Sequence, residues 1–291
     1  MREAMFYTLV SGIDRPCGFK ETGIRCGLCP HECFIAEGGS GRCGVRTHRK
    51  GILEADSYGQ ISSLAYDPIE KKPLKRFHPG STVLSIGTFG CNLRCDFCQN
   101  WKIARQHPPV VYIPPKQLVE MVPGDPRCIG IAYTYNEPVT FYEYMLDAGR
   151  LARERGYCNV MVTNGTIQKE PLLQLGSILD AVNVDVKAFT EDFYRAHCAG
   201  SLEWVKQSVE ILASICHVEI TTLIIPGLND SPEEIRQLAA WLAGIRRDIP
   251  LHLSRYFPAY RRNTPATPPG TLKTLAATAS EYLDHVFLGN L

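Results

Sequence analysis

Apolar residues arrive in short bursts, separated by longer stretches in which they recur every three or four positions. The bursts "TVLSIGTF", "IGIAYTYNE", "NVMVTNG", "AVNVDVKAF", "HVEITTLIIPG" and "LHLSRYFP" are rich in β-branched and aromatic residues, and each predicts a strand. The stretches between them predict helices. Thr140 and Glu143 form a capping-box pattern at the start of "TFYEYMLDAGRLARERG", and Gly156 is placed to stop it. In "SPEEIRQLAAWLAGIRRD", Ser231 is the expected N-cap and Pro232 opens the first turn. Ile235, Leu238, Leu242 and Ile245 form the stripe that a buried helix face requires. "GTLKTLAATASEYL" predicts a last helix.

Strand–helix alternation of this kind implies parallel strands joined by crossover helices. Six strands cannot close an eight-stranded barrel, so the expected fold is α/β, a partial (β/α)6 barrel open on one side. Residues 1–79 differ in character: they read as an irregular, Cys-rich N-terminal segment, with the Gly-rich "EGGSGRCGVR" and the charged "DPIEKKPLKRFHPG". The expected division is therefore 1–79 and 80–291.

One strand departs from the buried pattern. In "VNVDVK", Val182, Val184 and Val186 alternate with Asn183, Asp185 and Lys187. A helix-covered parallel strand is ordinarily apolar on both faces. A polar face belongs either to a solvated edge strand or to one lining a wet or ligand-filled interior, into which Asp185 and Lys187 would point.

Composition narrows the function classes. The chain has 291 residues, 45% of them hydrophobic, and 31 Lys plus Arg balance 30 Asp plus Glu. That balance gives no bulk attraction for nucleic acid, although a local basic patch is compatible with it. The N-terminus lacks an apolar run of signal-peptide length and no later run reaches membrane-span length, so the expected compartment is the cytoplasm. Twelve cysteines are many for a reducing compartment, where clustered thiols read as metal or redox sites. Cys17, Cys128, Cys158, Cys198 and Cys216 are scattered, as small buried apolar residues are.

The most informative stretch is "GCNLRCDFCQNW", which follows the first predicted strand and spaces Cys91, Cys95 and Cys98 as C-x-x-x-C-x-x-C. Three thiolates are one short for a cubic iron–sulfur cluster, and a split zinc site is the other possibility. With aromatic Phe97 before the third cysteine, the stretch resembles the signature of the radical S-adenosylmethionine (SAM) enzymes. That resemblance implies a 4Fe-4S cluster on Cys91, Cys95 and Cys98 whose fourth site takes SAM, with Phe97 beside the adenine. It also implies reductive cleavage of SAM to a 5′-deoxyadenosyl radical, fed by an external electron donor. "YTYNEP" puts Tyr135, Asn136 and Glu137 where the superfamily contacts the methionine amino group, and only Glu137 matches in kind. "VTNG" resembles pyruvate formate-lyase activating enzymes and implicates Thr163 and Asn164. An activase aspartate before that Thr is Val162 here, which speaks against a cation site of that kind. The activase Asp-x-Lys corresponds to Asp185 and Lys187, and "HLSRYFP" places His252 and Arg255 near the substrate end, although His252 also reads as an ordinary packed histidine.

Upstream, "CGLCPHECFIAEGGSGRCGVR" carries Cys26, Cys29, Cys33 and Cys43, a set that suits either a closed zinc site or an auxiliary 4Fe-4S cluster. His31 is a spare candidate ligand. Together with "DPIEKKPL" and "CQNW", these stretches resemble the AmmeMemoRadiSam-system radical SAM enzymes, relatives of the pyruvate formate-lyase activating enzymes. The resemblance implies Memo-like partner proteins. Relatives generally continue past the final Gly-Asn, where this chain has "HVFLGNL". A glycyl-radical-enzyme activase is the alternative function.

Overall fold

The computed structural model describes residues 2–14 and 20–291, so Cys17 lies outside the described residues. The N-terminal segment, expected to be irregular, is built of short strands between loops. β1 (Tyr7–Asp14) pairs antiparallel with β2 (Lys20–Cys26), which pairs with β3 (Phe34–Ala36). β4 (Arg46–Arg49) and β5 (Ile52–Ala55) form a hairpin, and β6 (Gln60–Ile61) pairs with β9 (Val111–Tyr112). β7 (Ser63–Pro68) joins the main sheet, antiparallel to β8 (Thr82–Gly87), so that sheet begins before residue 80.

From β8 the strands run parallel and in chain order: β10 (Cys128–Tyr133), β11 (Cys158–Thr163), β12 (Ala181–Asp185), β13 (His217–Ile224), β14 (Leu251–Arg255) and β15 (Val286–Gly289). The six expected strands are all present. β7 and β15 are additional, and they end the sheet without pairing to each other, so the barrel is partial. Both escaped the hydrophobic pattern because they are short, half-exposed edge strands.

Helices cover the outer face: α1 (Trp101–Arg105), α2 (Pro115–Glu120), α3 (Tyr142–Glu154), α4 (Lys169–Gly176), α5 (Glu191–Phe193), α6 (Leu202–Ala213), α7 (Pro232–Ile245) and α8 (Pro269–Ser280). A π-helical turn, Tyr194–Cys198, follows α5. α7 starts as its sequence predicts: Ser231 Oγ accepts from the Glu234 amide at 3.1 Å, and Ile235, Leu238 and Leu242 are buried. α3 does not. Its N-cap is Phe141 with no side-chain cap, because Glu143 turns away to form a buried ion pair with Arg46 of β4. The Thr140 hydroxyl donates to the Glu137 carbonyl at 2.7 Å instead. Gly156 ends the helix in the left-handed region, at φ 77°.

The polar face of β12 has two occupants. Val182 and Val184 join the apolar core, and Asn183 and Asp185 face the other way. Asn183 Nδ2 donates to the Pro73 carbonyl at 2.9 Å. Glu219 of β13, fully buried, accepts from the amides of Lys75 and Arg76 at 3.0 and 2.7 Å. The segment 72–76 thus plugs the lower barrel, and Ile69 and Leu74 pack there on Val83, Val160 and Ala181. Asp185, one pleat higher, faces open space.

Candidate active site

β8 delivers the three cysteines through a tight turn. Gly90 has φ 86°, and a Cβ there would stand 2.6 Å from the Cys43 carbonyl oxygen. Asn136 staples the turn: its Oδ1 accepts from the Thr88 amide at 2.9 Å, and its Nδ2 donates to the carbonyls of Gly90 (3.0 Å) and Phe89 (3.2 Å). Beyond it, Cys91, Phe97 and Cys98 line one cavity of about 340 Å³ with Cys95. Tyr135, Asn136 and Glu137 after β10, Val162, Thr163 and Asn164 on β11 and its following turn, and Asp185 and Lys187 of β12 and its exit complete that lining. The strand ends of a parallel barrel gather side chains in this way.

Glu137 is the hub of this wall. Its Oε1 accepts from the Val139 amide (3.0 Å) and the Thr163 hydroxyl (2.7 Å), and its Oε2 from the Asn164 amide (2.8 Å). Burial pushes its carboxyl up to about 7, against the pull of those hydrogen bonds and of Lys187. Across the cavity Lys187 Nζ pairs with Asp185 Oδ2 at 2.6 Å. Burial opposes the ammonium charge, but Asp185 and the nearby thiols raise its pKa. Tyr135, at φ 72°, donates its hydroxyl to Asp67 at 2.7 Å, and Lys72 lies 4.7 Å from its ring centroid.

Cys95 is buried, and Cys91 and Cys98 are half-buried at the cavity wall. Burial raises the pKa of Cys91 and Cys98, and for Cys95 a hydrogen bond with Cys198 and then burial do so. Thiols of this kind become good ligands once a cation replaces their protons, so the donor chemistry fits an iron–sulfur group. Among the described residues, no three His, Cys, Asp or Glu side chains already stand at metal-ligand spacing.

Not every expected residue lines the cavity. His252 sits one pleat below it and bonds Glu219 at 2.6 Å, alongside His217 at 3.0 Å, as part of the plug. It is the second residue of β14, so its inward side chain meets the barrel floor, while Ser254 reaches the cavity. Arg255 Nε donates to the Thr267 carbonyl at 2.8 Å and its guanidinium covers Phe257. Asn136 touches the cavity, but its amide is taken up by the turn.

Four residues were not anticipated. Buried Asn92 accepts from Asn164 Nδ2 at 2.9 Å and donates to the Thr166 carbonyl at 2.7 Å. It lines the thiol pocket of the N-terminal segment and steadies Asn164, which lines the large cavity. Cys198 is anchored beside Cys95 by two backbone bonds, Arg94 N to Cys198 O (2.7 Å) and Asp96 N to His197 O (3.0 Å). Lys71 and Lys72 line the cavity from "DPIEKKPL", a stretch that the sequence marks as distinctive without showing where it lies.

Cys26, Cys29, Cys33 and Cys43 all line one small pocket of about 20 Å³, together with Arg42 and Arg46. Burial pushes the Cys29 thiol up to about 12 and Cys43 up to about 11. Arg46 Nη1 lies 3.6 Å from Cys26 Sγ. His31 is not in that pocket; it packs edge-on against Trp204 at 5.1 Å.

Residues 85–242 match the family model of the Radical SAM superfamily, and the chain belongs to that superfamily. An uncharacterized protein of Methanocaldococcus jannaschii is 41% identical across 100% of this chain and 86% of its own length. The pyruvate formate-lyase-activating enzyme of Clostridium pasteurianum is 27% identical over 57% of this chain and 72% of its own. A radical SAM methyltransferase from Sphaerobacter thermophilus shares the fold with a TM-score of 0.55 at 14% identity, covering 97% of this chain and 76% of that one. The chain is thus a radical SAM enzyme with homology to glycyl-radical-enzyme activases. Membership implies a 4Fe-4S cluster, SAM and an external electron donor. Among the described residues, no helix is long and apolar enough to cross a membrane.

Proposed function

We propose that this enzyme cleaves SAM reductively and uses the resulting radical on a substrate handled with Memo-like proteins, in an AmmeMemoRadiSam-type system. The carrying observation is that Cys91, Cys95 and Cys98 share one cavity with Glu137, Asn164, Asp185 and Lys187. When bound, the cluster and SAM supply the electron and the 5′-deoxyadenosyl radical. Cys91, Cys95 and Cys98 would be the ligands. Among the described residues no cation forms an ion pair with the buried Glu137 carboxyl, and the amino group of SAM is a cation of the right kind. Thr163 and Asn164 hold that carboxylate in place by donating to it. Phe97 offers a buried apolar wall for the adenine, and Tyr135 closes the side towards Lys72. Asp185 and Lys187 then face the substrate as a preformed ion pair.

In this reading residues 1–62 are a cap on the barrel, stapled by a metal on Cys26, Cys29, Cys33 and Cys43, while β7 and the plug that follows it belong to the barrel rather than to a separate segment 1–79. Four thiols fit either zinc or a 4Fe-4S cluster. We assign zinc, because a staple for the cap needs no redox role, and Arg46 Nη1 stands 3.6 Å from one of the thiols, Cys26 Sγ. Free thiols in such number belong to a reducing cytoplasm.

A glycyl-radical-enzyme activase is the second reading, favoured by the similarity to the Clostridium pasteurianum activating enzyme. The two diverge only at the hydrogen donor. Anaerobic reconstitution with iron, sulfide, reductant and SAM should yield 5′-deoxyadenosine, and Cys91→Ala, Cys95→Ala or Cys98→Ala should abolish it. Wild-type rates in all three variants would refute the cluster assignment. Stimulation by a Memo-like protein supports the first reading; a glycyl radical signal in a partner enzyme supports the second.

A further inference from the structure

Five cations gather around the cysteine loop without a carboxylate partner among the described residues: Arg94, Lys102 and Arg261, which are exposed, and Arg42 and Arg105, which are half-buried. Their contacts are to carbonyls and rings. Arg42 Nη2 donates to Ala199 O (3.2 Å), Arg94 Nη2 to Arg42 O (3.0 Å) and Arg105 Nη1 to Cys91 O (3.3 Å). Lys102 and Arg261 lie 5.9 and 5.0 Å from the ring centroids of Trp101 and Tyr260, which stack on each other at 5.3 Å. The nearby carboxylate of Asp96 is already held by Arg262 at 2.6 Å and His197 at 3.1 Å.

In a chain with 31 basic and 30 acidic residues, such a patch is a local excess, not a reflection of overall charge. Like charges held together repel, and at low salt an anionic surface relieves the arrangement. Position narrows the partner. Arg94 lies between Cys91 and Cys95 in the loop, and Arg105 sits on the Cys91 carbonyl. Arg94, Lys102 and Arg261 are exposed.

We propose that this face docks an acidic one-electron carrier protein. The carrier is oxidised by one electron, and the site held by Cys91, Cys95 and Cys98 is reduced by one; no bond is made or broken in the transfer. This rests on the functional reading above. RNA is the less suitable occupant, since Trp101 and Tyr260 already hold each other and a cation apiece, and strand binding uses free ring faces for bases.

The test compares 5′-deoxyadenosine formation by the reconstituted enzyme with a purified acidic ferredoxin and with dithionite. In wild type, the ferredoxin-driven rate should fall about fivefold or more as salt rises to about 0.3 M, while the dithionite rate changes little. Combined Lys102→Glu and Arg261→Glu, and separately Arg94→Glu, should raise the ferredoxin concentration for half-maximal rate about tenfold, with dithionite rates kept within about twofold. Unchanged ferredoxin dependence in variants that retain the dithionite rate overturns the proposal, as does a salt-indifferent wild-type rate. If a variant loses the dithionite rate, the wild-type salt titration decides. Bulk tRNA binding lost in the variants, with ferredoxin dependence intact, assigns the face to RNA instead. Absence of product with dithionite in wild type refutes the functional reading; titration of the same ferredoxin against the protein at low salt, expected to show binding that weakens about tenfold in the variants, then decides the docking, and no binding overturns it.

Discussion

Gly90, the residue before the first barrel cysteine, lies against the backbone of Cys43, the last cysteine of the N-terminal set; the two cysteine segments are in contact through main chain. Gly90→Ala adds a Cβ that would meet the Cys43 carbonyl at 2.6 Å and places a side chain at φ 86°. Together these should cost about 2–4 kcal/mol of stability. Metal analysis of the variant should show reduced loading of iron and of the N-terminal metal together; loss of iron alone would mean that the segments do not depend on each other.

Arg46 and Glu143 form a buried ion pair, with both side chains 2% exposed, and Glu143 also accepts from the Met5 amide at 2.8 Å. Glu143→Gln should destabilise the chain by about 3–5 kcal/mol, since it leaves a guanidinium buried without its counter-charge. Arg46→Met combined with Glu143→Leu should recover much of that loss. Denaturant melts of the single and double variants check the coupling, and additive losses would count against the pair.

Zinc should remain at about one per chain in the triple variant Cys91→Ala, Cys95→Ala, Cys98→Ala, because the N-terminal thiols form their own pocket. Its removal by a chelator should unfold the cap, read as loss of protection from amide exchange across residues 22–55. Residual iron with sulfide in that variant would replace zinc by a second cluster.

Glu219 gives the fold a pH dependence. Burial raises its carboxyl, but hydrogen bonds from His217, His252 and the amides of Arg76 and Lys75 outweigh that and hold it at about 2. A carboxyl depressed on folding stabilises the protein above its unfolded pKa, and that contribution disappears as pH falls through the folded value. Stability should therefore decline between about pH 4.5 and 2. In Glu219→Gln the decline over this window should be shallower, from a lower starting stability. Parallel acid-unfolding curves for the two proteins would show that Glu219 is not the group responsible.

Asp185 holds Lys187 at 2.6 Å beside the cavity. Asp185→Asn should leave the iron–sulfur absorbance unchanged but slow SAM cleavage or substrate turnover by about a hundredfold, as removal of a preorganised charge does. The readout is 5′-deoxyadenosine per iron, which separates chemistry from cluster loading.

The barrel was legible because strand and helix periods are local: "AVNVDVKAF" and "SPEEIRQLAAWLAGIRRD" each state their own conformation. The three cysteines were legible through spacing, Asp185 and Lys187 through strand alternation, and the other strand-end polar residues only through the resemblance to radical SAM enzymes. Contacts between distant segments were not. Thr140 and Glu143 have capping-box spacing, yet Arg46, 97 residues away, claims the glutamate. His252 has the residue type for a site but the pleat position of the floor. Asn136 looked like a ligand-binding amide, and its partners are backbone groups of the preceding strand's turn. Cys198 looked inert because nothing in sequence places it beside Cys95. Alternation left the polar face of β12 open between a solvated edge and an interior; it is interior, and half of it serves the plug.

That plug reverses the usual relation between a domain and its extension. Residues 72–76 leave the ribosome before any of the strands whose polar groups they satisfy, so the later sheet assembles around a piece of chain already made. Among the described residues, Asn183 and Glu219 have no other protein partner for those bonds than the Pro73 carbonyl and the Lys75 and Arg76 amides, apart from the two histidines. A shortened gene beginning at the first barrel cysteine strand would therefore encode a vessel without its base, and shuffling this barrel onto another N-terminus requires carrying the base along.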